Sequence, residues 1–478
     1  MKSFLIEGRE SAAYNDSAFG AMDACRRDMI EFPDLTVNAT AGTFWGADGR
    51  IAAYKTVYDL YDSMDPKRKA AYATDLLGNK DYRDAVFEWL NRLGNIRTAH
   101  SVIASPGGTG AVAFGVFNCV EKGDELLIPD IGWINYRVMA EECGAVPAYY
   151  SFLEGGADAE SQGRLRIADL KAQSRRIMEK QGRLTVVIND PCQNPTGASF
   201  GPKLWAELMD FYNKLSAQGP VVIINDIAYL DYSEDPENAT RYFDAFGGLS
   251  ENVAVLLAFS CSKLLTAYGL RLGACVILTQ KQEDADSLQA AFVRYARSNW
   301  GTVNNSLMQC FVEIVRDHKD ALLAEKQQAI DALSERSRAF IDASQACGLE
   351  LYPYFGGFFV TVRVPDPGLL PRFDAELKKD HIYGVKYPGG MRFAICALQP
   401  ATCATLPARV KAALERAKVE QGRSGVGQKR KVRKTVNLRR KRTESRQISC
   451  QRKTQHISRQ KDCKAAQKYI HNSAECAI

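Results

Sequence analysis

The chain has 478 residues, 46% hydrophobic and 25% charged, which is room for a large domain plus a smaller one. No run of about 18 apolar residues marks a membrane span. The 13 cysteines lie scattered without a C-x-x-C pair, so neither a zinc site nor a disulfide framework is indicated. The net charge of +6 hides an asymmetry, because Arg423 to Ile478 carries 17 Lys and Arg against 3 Asp and Glu. A mildly acidic body therefore precedes a strongly basic tail.

The opening MKSFLIEGRESAAYND lacks the long apolar core of a signal peptide, and with reduced thiols the expected compartment is the cytosol. Asp48-Gly49 marks a turn. Residues 65–100 read as two helical pieces, with Tyr82 to Leu93 spacing its apolar residues at helical intervals. A short strand, Ser101 to Ala104, then enters Pro106-Gly107-Gly108-Thr109-Gly110, with an apolar helix expected from about Ala111. Glycines at a helix start let a phosphate approach free backbone N–H groups, although such entries also serve as plain caps. Glu125 to Pro129 is a further strand, and Trp133 in the polar turn after it either covers a planar ring or plugs the core.

Three continuous apolar strands follow, each ending in a polar cluster. Leu184 to Ile188 runs into NDPCQNPTG, Val221 to Ile224 into Asp226-Ile227-Ala228-Tyr229, and Val253 to Phe259 into Ser260-Cys261-Ser262-Lys263. The helical stretch from Pro202 to Lys214 separates the first two. This rhythm predicts a parallel sheet buried on both faces, whose ligands gather at the carboxyl ends of the strands. Asn194, Asp226 and Lys263 are thus expected to converge. A lysine just past a buried strand is desolvated and can act as a neutral amine that forms an imine with an aldehyde. Arg271, eight residues on, together with Ser260 and Ser262 would suit a phosphate. Read alone, this segment is equally a strand-to-helix turn with a solvated lysine.

Residues from Gln282 to about Ala346 read as long helices, the segments around LYPYFGGFFVTVRV, IYGVKY and MRFAICAL alternate like strands, and Cys403 to Lys418 closes with a helix. The tail from about Gly422 has almost no apolar periodicity. It reads as a solvated extension, an out-of-frame continuation or a polyanion-binding arm, the first and third of these differing in whether nucleic acid is a partner.

Assembled in order, these motifs resemble the class I aminotransferases of the fold-type-I pyridoxal-phosphate enzymes, in the aspartate and aromatic amino acid branch. Asn194-Pro195-Thr196-Gly197, Asp226-Ile227-Ala228-Tyr229, Ser260-Cys261-Ser262-Lys263 with Arg271, and Met391-Arg392-Phe393 carry the resemblance, over roughly residues 30–418. It implies an α/β fold: a large domain with a mostly parallel seven-stranded sheet between helices, and a smaller α+β domain built from N- and C-terminal segments. The expected divisions are 1–60 (arm and part of the small domain), 61–300 (large cofactor-binding domain), 301–420 (linking helix and small domain) and 421–478 (basic tail).

The resemblance also implies roles. Pyridoxal 5'-phosphate would be the cofactor, with no metal. Lys263 would hold it covalently and shuttle a proton, Asp226 would pair with its ring nitrogen, and Tyr229 and Asn194 would bond its phenolic oxygen. Trp133 would stack on the ring, and Gly108, Thr109, Ser260 and Arg271 would bind the phosphate. Arg392 would grip the substrate α-carboxylate, with Gly42, Trp133 and Asn194 lining the substrate space. Arg294 sits where the family arginine reaches from a partner subunit to a dicarboxylate side chain, Arg297 being its rival. The implied protein is a homodimer with shared sites, acting on a small amino acid and a 2-oxo acid, without membrane or nucleic-acid partners.

The expected reaction is transamination of aspartate or an aromatic amino acid against an acceptor such as 2-oxoglutarate, ping-pong through pyridoxamine phosphate. A β-lyase or decarboxylase on the same fold, or a non-enzymatic sensor whose basic tail binds nucleic acid, are the alternatives. The chain departs from the family pattern at Ala73, beside Tyr72, where a partner-contacting tyrosine is expected, at Trp300-Gly301, and at the bulky Ala41-Gly42-Thr43-Phe44-Trp45.

Overall fold

A computed structural model describes residues 4–5, 17–92, 94–153, 165, 167–235 and 239–419. The readings of the basic tail and of the opening segment lie outside the described residues.

The three apolar runs are strands Leu184–Asn189, Val221–Asp226 and Val253–Ser260, hydrogen-bonded side by side in parallel. All eight residues of the last are buried, as a strand covered on both faces requires. They form the centre of a seven-stranded sheet. From one edge its order is Ala99–Ser105, Gly273–Thr279, Val253–Ser260, Val221–Asp226, Leu184–Asn189, Glu125–Pro129 and Val146–Tyr150. Only Gly273–Thr279 runs against its neighbours. Successive side chains point to opposite faces, so Val255 and Leu257 enter one apolar layer while Leu256 and Ala258 enter the other.

On the second face the Gly107–Cys119 helix packs against the middle strands. Gly115 permits the approach, since a Cβ there would lie 2.6 Å from Ile224 Cδ1. This helix begins at Gly107, about a turn before the expected Ala111, so the glycines form its first turn rather than a loop before it. On the first face Gly201–Leu215 buries Trp205, Leu208 and Tyr212.

The expected long helices are three, Gln282–Asn299, Asn305–Asp317 and Lys319–Cys347. Beyond them a second, antiparallel sheet has the order Val385–Tyr387, Gly390–Ala394, Phe359–Arg363. Val37–Asn38 pairs in parallel with Ile382–Tyr383, which joins an N-terminal segment to the C-terminal portion. A helix over 400–419 ends the described chain. The described residues up to Leu414 form one compact unit; of the second unit, from Glu415, only 415–419 are described. No described helix is long and apolar enough to cross a membrane, and all described cysteines are free thiols.

Candidate active site

The carboxyl ends of the three central strands open on a cavity of about 300 Å³. Asn194, Asp226 and Lys263 all line it, as do Gly42, Gly108, Thr109, Trp133, Tyr229, Ser260 and Arg271. Ten of the twelve residues expected at the site therefore meet there. Of the other two, Arg392 lies against Asn194, and Arg294 is exposed on the Gln282–Asn299 helix, away from this cavity.

Lys263 sits in the short helical turn directly after Ser260. Its Nζ donates to the Gly42 carbonyl at 2.6 Å and lies 5.1–5.5 Å from the ring centres of Tyr229, Tyr268 and Phe358. Burial pushes its ammonium down to about 8, and the Arg392 and Arg271 guanidiniums push the same way. Its neutral-amine fraction near neutral pH is therefore far larger than that of an exposed lysine, although the ammonium still predominates.

Asp226 closes the strand beside it and is 6% exposed. Burial raises its carboxyl above the ordinary range, opposed by two donors: the Tyr136 phenol at 2.6 Å from Oδ2 and the Ala228 N–H at 3.1 Å from Oδ1. Asn189, ending the next strand, ties the loops together. Its Nδ2 donates to the Asp226 carbonyl and its Oδ1 accepts the Asn194 N–H, both at 2.8 Å.

Arg271 adopts a left-handed backbone, φ 52°, and its Nη1 donates to Ser262 Oγ at 2.8 Å and to the Tyr268 carbonyl at 2.9 Å. Gly107 takes a left-handed backbone, φ 73°, which favours glycine, and a Cβ there would also crowd Arg271 Nη2 at 2.6 Å. The start of a 13-residue helix, a guanidinium and two serine hydroxyls thus frame one corner of the cavity.

Arg392 reaches the site from the small sheet, in register with Thr361. It is 5% exposed, donating to Asn194 Oδ1 at 3.1 Å, Tyr387 Oη at 3.2 Å and the Thr40 carbonyl at 2.9 Å. Its Nε is buried without a partner among the described residues, a donor that a ligand acceptor would satisfy. Thr361 Oγ1 donates to the Pro195 carbonyl at 2.6 Å, so the small sheet is fastened to the same loop that carries Asn194.

The aminotransferase class I and II description matches residues 62–410, most of the chain. The chain belongs to that family. It is an aminotransferase, and the family works with pyridoxal phosphate. Similar proteins include the aspartate aminotransferase of Pseudomonas aeruginosa, 27% identical over 59% of this chain and 71% of that one. An aminotransferase structure from Anaerococcus prevotii superposes with a TM-score of 0.81 at 29% identity, covering 86% of this chain and 99% of that one. An aromatic-amino-acid aminotransferase from Burkholderia pseudomallei, covalently bound to pyridoxal phosphate, shares the fold with a TM-score of 0.66 and 20% identity over 85% of this chain and 99% of its own.

The donor set of this aminotransferase fits such a cofactor: an amine, a buried carboxylate, and a corner where a guanidinium, two serine hydroxyls and a glycine-opened helix start can take a phosphate. Tyr136, Asn189 and Tyr268 also belong to the cavity wall without a sequence motif that marks them, and Thr43 of the bulky strip joins them. For Tyr136 the only available signal was its place three residues after Trp133, one helical turn along. Tyr72 is 86% exposed and does not line this cavity.

Proposed function

We propose that the protein transfers the amino group of an acidic or aromatic L-amino acid to a 2-oxo acid such as 2-oxoglutarate, as a homodimer, with Lys263 as the catalytic base. The observation that carries this reading is a lysine amine held near neutrality in one cavity with a buried carboxylate, while a buried arginine with a spare donor approaches from another sheet. When bound, pyridoxal phosphate supplies an aldehyde for the amino group and a ring that accepts electrons.

This chain's residues do the rest. Arg392 takes the substrate α-carboxylate through its guanidinium and so orients the Cα–H bond. Lys263 would take the proton at the substrate Cα and serve as the proton carrier of the reaction. Asp226, kept ionised by its two donors, would hold a proton on the ring nitrogen. Tyr229 and Asn194 would hold the phenolic oxygen, Trp133 would cover the ring, and Gly108, Thr109, Ser260 and Arg271 would hold the phosphate. Gly42 leaves space beside Lys263. Exposure of Arg294 on its helix supports its use by a second subunit, where it would meet a side-chain carboxylate.

The test is an absorbance spectrum of the cofactor-loaded protein with L-aspartate, L-glutamate, L-tyrosine and L-phenylalanine added separately. Conversion of the cofactor to its amine form by one of them is the expected result and names the donor. No conversion by any would overturn the substrate reading. Arg294→Ala is expected to raise KM for an acidic donor about tenfold and leave an aromatic one unchanged, an effect of about 1.4 kcal/mol.

A further inference from the structure

The Tyr136 phenol donates to Asp226 Oδ2 at 2.6 Å, with tyrosine and aspartate both buried. Its backbone N–H bonds the Trp133 carbonyl at 3.1 Å, and the two rings meet edge to face, 87° apart with centres at 5.5 Å. One helix start thus delivers both the aromatic wall of the cavity and the donor to its carboxylate. We propose that Tyr136 is a positioning residue for Asp226: it fixes the carboxylate's orientation toward the cavity and keeps it ionised. The proposal rests on the cofactor reading above and names a residue that reading does not use.

The choice of a phenol has a chemical consequence. Burial and the nearby Asp226 charge put the Tyr136 hydroxyl well above its ordinary range, so it is a donor at every working pH. A neutral donor stabilises the carboxylate without cancelling its charge, and Asp226 keeps its full negative charge for a protonated ring nitrogen. A cationic donor would have divided that charge. The other groups that face Asp226 cannot substitute. The Ala228 N–H serves the other oxygen, and Asn189 bonds the backbone carbonyl rather than the side chain. The Lys263 ammonium acts on the carboxylate through charge alone, and the Tyr229 and Tyr242 phenols feel it only at a distance.

Removing the donor leaves a buried carboxylate with one fewer hydrogen bond, which favours its protonated form. Tyr136→Phe in the apoprotein is expected to raise the Asp226 titration by about one unit or more. The infrared band of a protonated carboxyl, assigned by its loss in Asp226→Asn, reads this without cofactor. Pyridoxal phosphate is expected to bind Tyr136→Phe about tenfold more weakly, an order-of-magnitude figure for one hydrogen bond. It should bind Tyr136→Phe/Asp226→Asn no more weakly than Asp226→Asn alone, since a residue acting through Asp226 has nothing left to act on.

An unmoved carboxyl band, or a loss that adds fully to that of Asp226→Asn, overturns the proposal. Should Tyr136→Phe fold poorly, 3-fluorotyrosine at position 136 keeps the shape and strengthens the donor, and the Asp226 titration must then move down. Failure of the cofactor reading looks different: the wild-type protein takes up no pyridoxal phosphate, or Asp226→Asn binds it as wild type does.

Discussion

Two lysines of this aminotransferase are pushed by burial to about 8, and they do opposite things. Lys326, 3% exposed on the Lys319–Cys347 helix, is compensated. Its Nζ donates to the Asp231 carbonyl at 2.9 Å and lies 3.6 Å from Asp231 Oδ1, and Arg92 shares that carboxylate at 3.3 Å. Lys263 lines a cavity, bonds one carbonyl, and is pressed by two guanidiniums rather than held by a carboxylate in contact. A similar titration point thus describes a sealed strut in one place and an amine open to a cavity in the other. The difference lies in what surrounds each ammonium, not in how deep it is.

The strongest way to break this comparison is to replace each lysine by methionine. Lys263→Met is expected to lower turnover by more than about 10³-fold, the loss of a general base, yet to stabilise the apoprotein at pH 7 by about 1–3 kcal/mol, because an uncompensated buried charge is gone. Lys326→Met is expected to destabilise by about 2–4 kcal/mol, since it removes a partner of a buried Asp231, and to leave turnover of the folded protein within about tenfold. Thermal melts and steady-state rates read both. A stabilised Lys326→Met would end the distinction.

The pH dependence sharpens it. Lys263 titrates lower in the folded chain than in the unfolded one, so the unfolded state binds more protons between about 8 and the ordinary lysine range. Stability tied to Lys263 therefore rises with pH across that window, and the advantage of Lys263→Met fades there. On the proposed role of Lys263, covalent uptake of pyridoxal phosphate would need its neutral amine. Its rate in the apoprotein is expected to climb up to about tenfold per pH unit and level off above about 8. A flat profile from pH 6 to 9 would show that Lys263 is already neutral.

The smallest expected effect comes from the arginines that press on Lys263. Arg392→Gln is expected to move the midpoint of that uptake curve upward by less than about one unit, since a like charge has been removed. A downward move would mean that Arg392 acts on Lys263 mainly through packing.

Much of this was legible in the residues, for reasons that can be named. Val253 to Phe259 is a continuous apolar run, and a strand covered on both faces has to look like that. The polar clusters after it and its two neighbours converge because parallel strands put their carboxyl ends on one side. Val146–Tyr150 was missed because it is an edge strand with a proline and exposed Val146 and Tyr149, so its pattern is mixed. Gly273–Thr279 is hard to mark as a strand of its own, since its apolar residues begin directly after Arg271 with no turn residue but Gly273 to divide them. Tyr136 was unreadable for a different reason. Its hydroxyl matters through Asp226, 90 positions away, and no local period reports such a contact.

The one antiparallel strand of the large sheet bears on how the molecule assembles. Because Gly273–Thr279 turns straight back along Val253–Ser260, Lys263 and Arg271 sit in the loop of a single hairpin, with Ser260 opposite Gly273. Closing so short a loop costs little chain entropy, whereas the parallel neighbour Val221–Asp226 requires a long crossover. The amine and the guanidinium are therefore set in register by local sequence. During refolding this corner is expected to gain amide protection ahead of the crossover strands, leaving Asp226, Asn194 and Arg392 to be added to a corner already built.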